Sequence, residues 1–124
     1  MAETENHSDP VEWATDKARI QVAAAIIARL CDVAADPLTD WSQRVPAVQQ
    51  ERDLLVHAVN LSGPSYSRLA RQLGRTERAI SQGVLRSRTR MRTTEGYRVL
   101  LGAVVARMRD AFNDTAEQFE EVAA

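Results

Sequence analysis

The sequence predicts an all-α protein: a trihelical helix-turn-helix core flanked by an N-terminal helix and a long C-terminal helix. Three observations carry that prediction. The apolar content, 44% of 124 residues with only 5% aromatic, is mostly Ala, Val, Leu and Ile, which suits packed helices better than a sheet. Apolar positions recur at spacings of three and four along most of the chain. Helix-starting and helix-breaking residues punctuate those runs at short intervals.

Residues 1–12, beginning MAETENHSDP, are polar and acidic and are expected to form a disordered tail; the stretch is unlike a signal peptide. From about Thr15 to Ala35, Ile20, Ala23, Ile27, Leu30 and Ala34 make one stripe, and Val22, Ile26 and Val33 widen it onto a second face. Asp36-Pro37 breaks this helix. DPLTDWSQRV is then a connector with room for one helical turn at Pro37, so residues 13–44 read as a helix plus connector suited to oligomerisation.

The core is expected over residues 45–92. Pro46 suits a helix start, and Val48, Leu54, Leu55, Ala58, Val59 and Leu61 supply its apolar face. Gly63-Pro64 turns the chain, and Ser65 caps a short helix whose Tyr66, Leu69, Ala70 and Leu73 share a side. Gly74 supplies a left-handed residue, and Thr76 caps a second helix with Glu77 at its positive end. Ile80, Val84, Ser87 and Met91 form its inward stripe. Thr93-Thr94 caps a long helix over residues 93–124, with Tyr97, Leu101, Val104, Met108, Ala111, Thr115, Phe119 and Val122 in a seam near the 3.5-residue period. The first and last helices offer more apolar stripe than one trihelical core needs, so a homodimer is expected.

Charge is unevenly placed. The formal net charge is −1, yet from Leu61 to Arg98 nine arginines face two acids, a surplus of +7 that leaves −8 on the rest. A basic patch on an acidic body is the footprint of a polyanion binder. A short helix, a glycine-containing turn and a second helix are the parts of a helix-turn-helix, whose second helix enters the DNA major groove. On that plan Arg78 and Gln82, four residues apart, are the expected base readers, because Arg pairs with guanine and Gln with adenine. Thr76, Glu77, Ser81 and Arg86 share their outward side, and Arg75 precedes them in the turn. Arg68, Arg71, Arg88, Arg90 and Arg92 are expected on phosphates, where they fix position without reading sequence. Gly83, inside the second helix, costs about 0.5–1 kcal/mol relative to alanine. Close approach to a groove or another helix would account for it, as would a tolerated change on a solvated face.

Val45-Pro46, then DLL, then SYSRLARQLGRTERAISQGVLRSRTRMR resembles the DNA-binding fourth region of bacterial sigma factors. The resemblance spans about Val45 to Arg92 and implies a trihelical DNA-binding domain. Arg75 departs from the aliphatic residue of that pattern and brings LGRTERAI closer to Myb-like helix-turn-helix domains. No segment resembles the region of sigma factors that melts promoters, so a free-standing DNA binder is expected. The function read from the sequence is a sequence-specific regulator of transcription acting on double-stranded DNA, cytoplasmic and nucleoid-associated. The alternatives are a packaging or segregation protein like small terminases, and a module that docks on RNA polymerase.

Other chemistries have little to work with. Cys31 is the only cysteine, on an apolar helix, so no internal disulfide can form. His7 and His57 lack companions at ligand spacing, and there is no glycine-rich phosphate loop. No catalytic residue, cofactor, metal or membrane span is expected.

Overall fold

The computed structural model of the chain describes residues 9–113. In chain order the helices are α1 (Pro10–Cys31), α2 (Asp36–Thr39), α3 (Gln49–Leu61), α4 (Tyr66–Leu73), α5 (Glu77–Thr93) and α6 (Glu95–Phe112), with a 3₁₀ turn at Pro46–Val48 before α3. The described residues contain no strand, so the all-α expectation holds.

The helix α3 is the centre of the fold. Every residue from Arg52 to Val59 is buried, because α1, α4, α5 and α6 all pack on it. Its Leu54, Leu55, Val56, Ala58 and Val59 are at most 1% exposed. Against them lie Ile20, Ala23, Ala24 and Ile27 of α1, Leu69 and Leu73 of α4, Ile80 and Val84 of α5, and Leu101, Val104, Val105 and Met108 of α6. At roughly 1.5–3 kcal/mol per fully buried large apolar side chain, this one cluster is the main source of stability.

Two boundaries of α1 differ from expectation. It starts at Pro10, not near Thr15, because the Asp9 carboxylate accepts the Val11 N–H at 2.8 Å and proline fits the first helical position. Residues 9–12 therefore belong to a helix and its cap, not to a tail. The helix ends at Cys31, where Asp32 takes the left-handed conformation (φ 56°). Leu30 and Ala34, counted in the inward stripe, are consequently exposed. The single turn at Asp36–Thr39 lies where the connector had room for one.

The remaining helices follow their local signals closely. The Ser65 hydroxyl accepts the Arg68 N–H at 3.2 Å, and Thr76 Oγ1 accepts the Ala79 N–H at 3.0 Å. Gly74 is left-handed (φ 66°), as the reversal between α4 and α5 requires. Thr94 alone separates α5 from α6 and offers no side-chain cap, while Thr93 Oγ1 donates back to the Thr89 carbonyl. In α6 the buried positions 97, 101, 104, 105 and 108 form an ordinary helix-packing ridge, and Ala111 is exposed. Thr115, Phe119 and Val122 of the expected seam lie outside the described residues. Over the described residues, most of the expected inward positions of both flanking helices are taken up within the chain, while Val11, Trp13, Leu30 and Val99 stay exposed on them.

Candidate nucleic-acid interface

The surface in question is the side of α5 turned away from α3, with the Gly74–Thr76 turn before it. Arg75, Thr76, Glu77, Arg78, Gln82, Leu85, Arg86, Thr89 and Arg92 are exposed there, and Ser81 and Arg88 are half-buried. Three hydroxyls are already committed: Thr76 to its cap, Ser81 Oγ to the Arg78 carbonyl at 3.1 Å, and Thr89 Oγ1 to the Leu85 carbonyl at 3.1 Å. Arg75, Arg78 and Arg92 have no ion pair with any carboxylate among the described residues, so their charge faces outward without internal compensation. With α5 held by Ile80, Val84 and Ser87 in the core, the α4–turn–α5 unit presents Arg78 and Gln82 side by side, one helical turn apart.

Three of the other arginines serve a different purpose. Arg68 on α4 is not turned out to a phosphate. Its Nε and Nη2 grip the Asp16 carboxylate of α1 at 2.9 and 2.7 Å, and Glu12 adds a contact at 3.4 Å. Asp16 is 2% exposed, so its charge needs this bidentate partner, and the pair raises the pKa of the Arg68 guanidinium further. A second bond, Gln72 Nε2 to the Trp13 carbonyl at 2.7 Å, completes the strap between α1 and α4.

Arg86 and Arg90 are tied to Asp53 of α3. Both Asp53 oxygens accept from Arg86 at 2.9 Å, Arg90 Nη1 reaches Oδ2 at 2.9 Å, and Gln49 Nε2 reaches Oδ1 at 2.9 Å. Asp53 is 1% exposed, whereas the Arg86 side chain keeps 46% of its surface. Arg86 therefore lies on the outward side of α5 but its fork points inward. Hydrogen bonding to Asp53 raises its pKa above the ordinary guanidinium value.

Gly83 belongs to this same contact. A Cβ there would sit 3.1 Å from Asp53 Oδ1 and 3.3 Å from Val56 Cγ2. The glycine is what lets α5 approach α3 closely enough for one carboxylate to bridge Gln49, Arg86 and Arg90. Behind it a buried relay runs from His57 Nδ1 to Ser87 Oγ (2.8 Å) and on to Tyr97 OH (2.6 Å), with Arg90 over the Tyr97 ring at 6.0 Å. Of the remaining expected contacts, Arg71 is half-buried with its Nε enclosed and lacking an acceptor among the described residues.

Sequence reasoning missed three residues beside this surface. Leu85, 57% exposed, sits among the polar residues of the outward face, and its place opposite the Ile80/Val84 stripe was the signal that could have found it. Arg44 and Arg52 were missed because they reach α5 only through the course of the connector. Arg44 lines a cleft of about 450 Å³ beside α5 together with Arg75, Gln82 and Arg86. Arg52, buried on α3, threads three backbone carbonyls of the connector: Nε to Pro37 (2.7 Å), Nη1 to Gln43 (3.1 Å) and Nη2 to Asp40 (3.0 Å). Those bonds hold residues 37–43 against the core, and Trp41 lies over the guanidinium at 5.2 Å.

Elsewhere, partial burial and the charge of Glu51 push the Cys31 thiol upward, away from the reactive thiolate. Among the described residues, no group of His, Cys, Asp or Glu is placed to hold a metal ion, and no helix is long and apolar enough to cross a membrane. Comparison of the chain with protein-family models, curated proteins and solved structures gives no match.

Proposed function

We propose that the chain binds double-stranded DNA, with α4 and α5 as a helix-turn-helix and α5 as the recognition helix, and that it does so to regulate transcription. One observation carries the reading: the first half of α5 turns Arg78 and Gln82 outward, next to Arg75, and neither arginine pairs with a carboxylate among the described residues. The left-handed Gly74 and the Thr76 cap support it by fixing how α5 leaves the turn. Arg78 and Gln82 are the base readers in this proposal, and Arg75 and Arg92 contact phosphate. Arg68, Arg86 and Arg90 are withdrawn from that set, since each already satisfies a buried carboxylate.

The test is selection of bound fragments from the source genome, followed by anisotropy titrations at several salt concentrations. Arg78→Ala should cost about 1–3 kcal/mol of discrimination between selected and random duplexes. Arg75→Ala and Arg92→Ala should each flatten the log–log salt slope by about 0.9, whereas Arg68→Ala should leave it unchanged. Failure of the wild-type chain to bind any duplex at about 50 mM salt would overturn the reading.

A second reading, docking on a protein such as RNA polymerase, draws on Leu85, which is 57% exposed on the same face. Binding that survives Arg78→Ala and high salt but fails with Leu85→Ser would favour it.

A further inference from the structure

The cleft beside α5 has an unusual wall. Arg44, Arg52, Arg75 and Arg86 all line it, and no acidic side chain does. Arg86 is already tied to Asp53, which it shares with Arg90; Arg44 and Arg75 pair with no carboxylate among the described residues, and Arg52 has only the more distant charge of Asp40. Arg52 is the most exacting of these. It is 4% exposed and forms no ion pair among the described residues; the carboxylate of nearby Asp40 is engaged by the Ser42 N–H at 3.0 Å. Three backbone carbonyls take three of its five N–H groups, and a carbonyl dipole does not cancel a buried charge. Burial, and then the repulsion of Arg75, weaken its hold on its proton, and the attraction of the Asp40 carboxylate offsets only part of this. Gln82, on the same wall, adds an amide donor, and Trp41 backs the site.

We propose that this cleft, between the 41–44 connector, α3 and the first half of α5, seats a phosphate group, with Arg44 and Arg75 gripping its oxygens over the buried charge of Arg52. A planar guanidinium fork matches phosphate oxygens, and about 450 Å³ admits a phosphate with an attached sugar. The phosphate comes either from the backbone of a duplex lying on α5, which rests on the function proposed above, or from a free phosphorylated small molecule. The chemistry of the seat is the same for both.

Trp41 is the reporter, made unique by Trp13→Phe in the full chain, since the protein has two tryptophans. Inorganic phosphate and, separately, a duplex selected from the genome are titrated at constant ionic strength while Trp41 fluorescence and duplex anisotropy are recorded. Saturable change with phosphate, weakened about tenfold or more by Arg44→Gln with Arg75→Gln, establishes the seat. Both residues are exposed, so the double variant keeps the fold, and Arg98→Gln is the control that should change nothing. Phosphate that competes with the duplex identifies a backbone phosphate; phosphate that binds without competing identifies a free ligand. A Trp41 response to the duplex alone, abolished in the double variant, also supports the backbone source. Anisotropy that reports duplex binding while Trp41 ignores both probes overturns the seat and leaves the DNA reading standing. Phosphate binding without any duplex binding does the reverse. Equal responses in wild type and double variant overturn the seat as well.

Discussion

Arg52 and Asp53 are neighbours on α3, both at least 96% buried, and the protein treats their charges in opposite ways. Asp53 has more compensation than it needs: two guanidiniums and a glutamine amide share one carboxylate. Arg52 has less: three carbonyls and a ring hold it, and Asp40 attracts it without forming an ion pair. The compensated site is internal wiring. It fixes α5 against α3 and consumes two arginines that would otherwise face solvent. The less compensated site opens onto a cleft with two further cations, which is the basis of the phosphate seat proposed above. The rule that follows is to count arginines only after their internal carboxylates have been subtracted.

The largest effect is expected from breaking the compensated site. Asp53→Ala removes four hydrogen bonds and leaves Arg86 and Arg90 facing each other across the gap. Both arginines reach solvent, with 46% and 31% of their side-chain surface exposed, so the loss should sit at the low end for a broken buried pair, about 3 kcal/mol. Urea unfolding measures it; a loss under about 1 kcal/mol would show that the bridge contributes little.

Arg52→Lys tests the other neighbour. An ammonium cannot reach three carbonyls on separate residues, and it loses the guanidinium contact with the Trp41 ring. The expected loss is about 2 kcal/mol, with a rise in Trp41 mobility seen by fluorescence polarisation. Full stability with an unchanged Trp41 signal would show that the connector is held by apolar packing of Leu38 and Trp41 alone.

Gly83 links the prediction of sequence to the fact of structure. Alanine in a helix interior should help by about 1 kcal/mol. Here its methyl would press on Asp53 Oδ1, which Gln49 and Arg86 pin from two sides, and on Val56 in the core. Neither neighbour can yield, so Gly83→Ala should cost about 1 kcal/mol net. In the Asp53→Ala background most of the obstruction is gone, and the same substitution should become neutral or stabilising. That change of sign in a double-mutant cycle is the sharpest check on the close approach of α3 and α5.

What was legible in the sequence was local. Ser65, Gly74 and Thr76 announced the ends of α4 and α5 because capping acts within three residues. The inward stripe of α5 was legible through its spacing. Asp9-Pro10 was a comparable local signal, submerged in an acidic stretch that reads as a tail. The pairing of charges was not legible. Arg68 meets its acid 52 residues away, and Arg86 and Arg90 meet theirs 33 and 37 away. Nothing in the segment around Gly83 could reveal that Asp53 would lie against it. Long-range partners decide which arginines are available, and single-sequence periodicity carries no information about them.

The smallest effect concerns the relay behind the Asp53 bridge. Burial holds the Tyr97 phenol above its ordinary pKa, and this outweighs the Ser87 hydrogen bond and the nearby charge of Arg90, which pull it down. Because the folded value lies above the unfolded one, near 10, the folded state favours the protonated phenol. That contribution is complete below about pH 10 and disappears as pH climbs through the folded value. Urea midpoints at about pH 9 and pH 11 should therefore fall more steeply for the wild type than for Tyr97→Phe, by the equivalent of about 1 kcal/mol or less. The partly buried thiol of Cys31 titrates in the same direction, so the difference between the two proteins, not the slope of either, isolates Tyr97. Parallel slopes would mean that the phenol gains water in the folded state, and would remove the relay from the set of contacts that stiffen α5 against α6.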